Sequence, residues 1–269
     1  MRLLAIAAVL AMLAMLGCSP EPAEPQPPTP PPTSFDGAQV TTAKASVVHG
    51  ERLTRVLGCG GCHGAELHGE RFYELYASNL TRDVANYSDA QLKRLLRQGI
   101  HPTGRDVWGM PSELFQHLSV ADEAALINYL RTLRPAGQPT QPRLPWSPEA
   151  KKMIAEGKIK PATATVRETE KVGPVDLGSR YALGRYIARV TCAECHGPKL
   201  DGGDTPDLIV AGAYNREEFD KLVTQGVPTN NRKLHALMVD VAKGRFAHLT
   251  MNERDELYAY LKARAEQSN

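Results

Sequence analysis

The sequence predicts an all-α protein made of one helical unit used twice, on three observations. Aromatic residues number only 16 of 269, and few windows combine Val, Ile, Thr and aromatics, which argues against a β fold. Apolar stripes at helical spacing, bounded by capping residues, recur along the chain beyond residue 40. Those stripes and the motifs between them repeat in the same order across residues 45 to 265, the mark of an internal duplication. With 42% hydrophobic residues the chain can bury a core, and 32 Lys+Arg against 30 Asp+Glu leave no basic field for nucleic acid.

The chain opens with one cation, Arg2, and an apolar run from Leu3 to Leu16, shorter than the roughly 20 residues a spanning helix needs. Residues 1–17 therefore read as an export signal. The junction Met15-Leu16-Gly17-Cys18 resembles a bacterial lipobox, which would make Cys18 an acylated first residue; ordinary cleavage with Cys18 a spare thiol is the alternative. From Pro20 to Ser34 eight of fifteen residues are proline, a composition that favours extended polyproline II. Residues 18–40 read as a lipid-anchored tether on the periplasmic side of a bacterial membrane.

The remaining four cysteines form two copies of one pattern, Cys59-Gly60-Gly61-Cys62-His63 and Cys192-Ala193-Glu194-Cys195-His196. A Cys pair alone could be a redox dithiol or half a zinc site. A histidine directly after the second Cys, in both copies, reads instead as covalent haem c attachment. Two thiols three residues apart can add to the two vinyl groups on one porphyrin edge, and the next residue turns its imidazole under the iron. A four-cysteine zinc site would leave both histidines unexplained, and a disulfide within either pair would be strained. Two haem c groups are expected, with His63 and His196 as proximal iron ligands.

Each unit, 41–134 and 178–269, takes its helices in the same order. The leading helix covers Val47 to Leu57 or Gly184 to Val190, with small residues near its start for close packing. The middle helix starts at Ser88 or Asn215, with Gln91 or Glu218 three residues on to complete a capping box, and ends at Gly99 or Gly226. The last helix starts at Ser119 or Thr250, the latter with Glu253 completing a box, and carries the stripe Leu126, Ile127, Leu130, Leu133 or Leu257, Tyr258, Leu261. Between the units, residues 135–177 form a proline-rich segment, either a covering strap or a linker, with one short helix expected from Pro148 to Glu156 behind Ser147.

The sixth iron ligand decides function, since an open site binds small molecules whereas methionine gives an electron carrier. Met110 and Met238 occupy what read as loops between middle and last helices; Met153 and Met251 read as gap-filling residues. His235 is the rival to Met238. His49, His68 and His101 read as surface or capping residues, and His117 and His248, a repeated pair before the last helices, as capping or packing residues. Arg105 and Arg232 hold equivalent positions, either as partners of haem propionates or as solvated loop residues.

The order C-x-x-C-H-G, middle helix, Met loop and closing Tyr-Leu resembles class I cytochrome c. Asn79-Leu80-Thr81, Gln98-Gly99-Ile100-His101-Pro102-Thr103-Gly104-Arg105 and Met110-Pro111-Ser112 are similar to bacterial two-haem cytochromes related to cytochrome subunits of membrane dehydrogenases. The resemblance implies two tandem helical domains, each wrapped around one covalent haem c, with Met110 as sixth ligand; the carry-over to Met238 lacks the following proline, Val239 standing there instead. Single-electron transfer is the expected role, from a membrane dehydrogenase or quinol-oxidising complex to an oxidase or soluble cytochrome. A peroxidase-like two-haem oxidoreductase, with the second haem catalytic, is the alternative.

Overall fold

The computed structural model describes residues 33–230 and 232–267. The export signal, Cys18 acylation and all of the tether before residue 33 lie outside them. The described chain is mostly helical, with a single small hairpin.

In the first half, α1 (Ala43–Val56) leads into α2 (Cys59–His63), then the hairpin strands β1 (Glu70–Phe72) and β2 (Leu75–Ala77), α3 (Leu80–Asp83), α4 (Asp89–Gln98), α5 (Ser112–Phe115) and α6 (Val120–Thr132). The intervening segment carries α7 (Pro148–Ala155) and α8 (Ala162–Thr169). The second half follows with α9 (Ala182–Ile187), a π-turn over Ala188–Cys192, α10 (Ala193–His196), α11 (Arg216–Gln225), α12 (Ala236–Gly244) and α13 (Met251–Gln267).

The local signals act as read. Ser88 accepts from the Gln91 amide while Gln91 reaches back, and Asn215 and Glu218 do the same, so α4 and α11 start in capping boxes. Gly99 (φ 64°) and Gly226 (φ 68°) end those helices in the left-handed region. The leading helix begins four residues before its expected start, because Thr42 caps the Ala45 amide. Ser147 caps α7 with Pro148 in the first turn. Helix α8 and the hairpin were not expected.

Each leading helix crosses the last helix of its own half at a glycine. A Cβ on Gly50 would stand 2.0 Å from the Ala125 carbonyl oxygen in α6, and one on Gly184 would stand 2.0 Å from the Glu256 carbonyl oxygen in α13. Backbone-to-backbone contact at both crossings seats Leu53 and Val56, or Ile187 and Val190, among Leu126 and Ile127, or Leu257 and Leu261, all 2% exposed or less.

The proline-rich segment is a strap on the first half. Asn79 Nδ2 donates to the carbonyls of Ala136 and Gln138 at 2.8 and 2.7 Å, the Leu144 amide donates to the Glu74 carbonyl at 2.7 Å, and the Ala162 amide to Val107 at 2.8 Å. Helix α8 packs on α4 and α5.

The two halves share buried polar contacts. Asp122 and Glu253, each the third residue of its last helix, are fully buried. Asp122 accepts from His49 Nε2 at 2.8 Å and from the Tyr186 hydroxyl of the second half at 2.7 Å. Glu253 takes two bonds from Arg52 of the first half, at 2.7 and 2.9 Å. The segment read as the end of the tether joins this seam: the Phe35 amide donates to Asp122 at 3.1 Å, the Asp36 amide to Glu253 at 2.8 Å, and the Phe35 ring is 2% exposed. His49 is thus a buried partner of Asp122, 5% exposed, and not a surface residue.

Candidate functional site

Two equivalent turns form the site, and their backbones match in detail. The helical turn Cys59–His63 follows Gly58, whose φ of 78° reverses the chain at the end of α1. After each histidine comes a left-handed glycine, Gly64 (φ 78°) or Gly197 (φ 76°). The Leu67 amide then donates to Gly64, and Leu200 to Gly197, both at 2.9 Å. Leu67 and Leu200 themselves sit at φ 57° and 63°, an unfavourable region for a branched side chain. They stay there because both are buried, at 5% and 0% exposed.

This turn aims the imidazoles. His63 Nδ1 donates to the Ser78 carbonyl at 2.7 Å, and His196 Nδ1 to the Pro206 carbonyl at 2.8 Å. A histidine whose Nδ1 is held by a carbonyl presents Nε2 as a lone pair, the arrangement that orients a metal-ligating imidazole. Burial pushes the His63 pKa down against the opposing pull of the Ser78 carbonyl, which keeps the ring neutral. Burial also pushes the first thiol of each pair, Cys59 and Cys192, up to about 11. All four cysteines are free, and among the described residues no three His, Cys, Asp or Glu side chains gather as a metal cage.

In the first half the turn opens on a cavity of about 550 Å³ lined by Cys59, Cys62, His63 and Met110 together. Leucines and Phe115 form much of its wall, the lining expected of a cofactor site with a few placed polar groups. Met110 and His63 therefore line the same cavity, with Met110 immediately before Pro111, the N-cap of α5. Arg105 also lines the cavity and donates to His101 Nε2 at 2.9 Å, while Tyr87 lies 3.3 Å from the same nitrogen. His101 is 6% exposed and part of this wall, not a surface residue. Its pKa is held down by burial and by Arg105, so it accepts the guanidinium bond as a neutral ring. The sequence signal was its nearness to Arg105, four residues on.

The second half differs. Met238 lies inside α12, not in a loop, because His235 caps the Leu237 amide and the run from Ala236 to Ala242 holds no proline or glycine to stop a helix. It is half-buried and packs against the core. His235 is exposed and engaged as that cap. Arg232 lies on an exposed segment. His117 lies beside Arg189 of the second half and His248 beside Arg52 and Arg55 of the first, which places both near the seam.

A largely apolar cavity, paired thiols, an oriented imidazole and a thioether in one lining suit a covalently attached haem in the first half. The second half repeats the donor set Cys192, Cys195 and His196 with the same turn. Compared with known families, residues 179–261 match the family described as cytochrome C oxidase, cbb3-type, subunit III. That match lies within the second half, and no curated protein matches the chain. It supports a c-type cytochrome with covalently bound haem c and a haem-based electron-transfer function.

Proposed function

We propose that this c-type cytochrome carries two haems and passes single electrons between partners without bond chemistry on a substrate. The observation that carries the reading is the repeated turn: both halves hold a CxxCH histidine by Nδ1 on a backbone carbonyl, 2.7 Å to Ser78 and 2.8 Å to Pro206. When bound, haem supplies the reversible ferrous–ferric couple. Cys59 and Cys62, or Cys192 and Cys195, would hold the haem covalently, and His63 or His196 would ligate its iron. Met110, in the lining of the same cavity, would be the second iron ligand in the first site, and we assign Met238 to the second. We assign Arg105, which lines the first cavity, as the partner of a propionate there; Arg232 holds the equivalent sequence position in the second half.

The wider reading is a cytochrome held by acylated Cys18 on the periplasmic side of a membrane. Its donor is a membrane dehydrogenase or quinol-oxidising complex, and its acceptor an oxidase or soluble cytochrome. The lipobox-like junction and the proline-rich stretch support the tether. Haem content per chain, read by the pyridine haemochrome spectrum, tests the count. The near-infrared charge-transfer band of ferric methionine ligation tests the closed sixth sites. One haem per chain would refute the two-haem reading. The absence of that band at the second haem would favour the alternative, an oxidoreductase in which that haem is catalytic.

A further inference from the structure

Resting on the two-haem reading, we propose that Arg245 is a positioning residue that clamps the two attachment turns into one seam, so that a single electron passes between the haems within one chain. Arg245 belongs to the second half, just after α12, yet its side chain serves both turns. Nε donates to the Val56 carbonyl at 3.2 Å, three residues before Cys59. Its Cζ lies against Gly58, where a Cβ would stand only 2.8 Å away. Nη1 donates to Glu194 Oε2 at 2.6 Å, and Glu194 stands between Cys192 and Cys195.

Glu194 also lines the cavity that holds Cys59, Cys62, His63 and Met110. The second attachment turn is therefore part of the wall of the first site. The Arg245 side chain is only 13% exposed, and Nη2 is buried without a hydrogen-bond partner among the described residues. An ordinary surface ion pair contributes little. This one joins the Val56 carbonyl of the first half to the Glu194 carboxylate of the second, a geometry that a planar guanidinium fork satisfies better than an ammonium.

Electron exchange between two centres falls steeply with their separation, and thioether bonds would hold each porphyrin to its own turn. Fixing the turns against each other fixes that separation. In the exchange one ferrous iron becomes ferric as the other ferric iron becomes ferrous; no proton moves and no bond forms.

Exchange NMR on the half-reduced, haem-loaded full chain tests the proposal, with the haem methyl resonances reporting each site. Wild-type exchange between the two haems should be independent of protein concentration. Arg245→Gln should slow it about ten-fold, since small misplacements of reacting partners are costly in rate, while haem content and helicity stay unchanged. Arg245→Lys should recover part of the loss. Exchange that scales with concentration in the wild type, or an unchanged rate in Arg245→Gln, would overturn the proposal. If Arg245→Gln does not fold, Glu194→Gln decides, because it keeps the bond to Val56 and removes the carboxylate; an unchanged rate there overturns the clamp. One haem per chain would refute the two-haem reading itself, whereas two haems with unchanged exchange would refute the clamp alone.

Discussion

Replacing Gly50 by alanine strikes the helix crossing from which the first attachment turn hangs. The new Cβ would stand 2.0 Å from the Ala125 carbonyl oxygen and 2.8 Å from Tyr129 Cβ. A carbon–oxygen contact needs about 3.3 Å, so α1 and α6 must part by about 1 Å or more. Overpacking ordinarily costs about 1–3 kcal/mol. Here the obstacle is helix backbone and cannot rotate away, which puts the cost at the upper end. The helix preference of alanine over glycine returns about 0.5–1 kcal/mol, leaving a net loss of about 2 kcal/mol or more. For a chain of this size that is a fall in Tm of about 4–8 °C. Gly61→Ala is the control: it lies in α2 with nothing within 4 Å of the added carbon. It should leave Tm unchanged or slightly raised. Thermal unfolding of the haem-loaded proteins by far-ultraviolet circular dichroism gives the comparison. A wild-type Tm for Gly50→Ala, or an equal fall for Gly61→Ala, would refute the reasoning, and Gly184→Ala should behave as Gly50→Ala does.

Four further outcomes are expected. Met110→Ala should open only the first haem to carbon monoxide and Met238→Ala only the second; rapid binding by the reduced wild type would remove the pure carrier reading, and a bis-histidine spectrum would point to His235. Burial, with Arg189 and Arg97 nearby, lowers the His117 pKa from 6.5 to about 4; the folded state therefore favours the neutral ring, so stability should be lost as pH falls from about 6.5 towards 4, and His117→Asn should flatten that slope in denaturant titrations at stepped pH. Arg52→Ala strands the fully buried Glu253 carboxylate, for a loss of about 3–5 kcal/mol by urea unfolding; a change below about 1 kcal/mol would contradict the seam. Cys18→Ala should shift the haem-loaded protein from the membrane to the soluble fraction, and persistence in membranes would argue against acylation as the anchor.

Features acting over a few residues were legible in the sequence. Capping boxes at Ser88 and Asn215, the C-terminal glycines Gly99 and Gly226, and the repeated CxxCH turns need only local chemistry. What escaped is set by distant partners. Nothing near His49 announces Asp122, 73 residues away, and nothing near Arg52 announces Glu253, 201 residues away. Met238 was misplaced for a different reason. Its likeness to Met110 was read as likeness of surroundings, although Pro111 follows one and the helix-permitting Val239 follows the other. The His63 and His196 carbonyl bonds were also invisible, because they depend on Leu67 and Leu200 adopting a conformation that leucine by itself avoids.

The adjacent amides of Phe35 and Asp36 bind two carboxylates that belong to different halves, Asp122 and Glu253. This has a bearing on whether either half could stand alone. A gene fragment encoding the second half alone would make a chain whose Glu253 lacked both the Arg52 fork and the Asp36 amide. One encoding the first half alone would leave Asp122 without Tyr186. Each half thus depends on the other for partners of a fully buried carboxylate, so a truncated chain is penalised at the folding step before any question of redox activity arises.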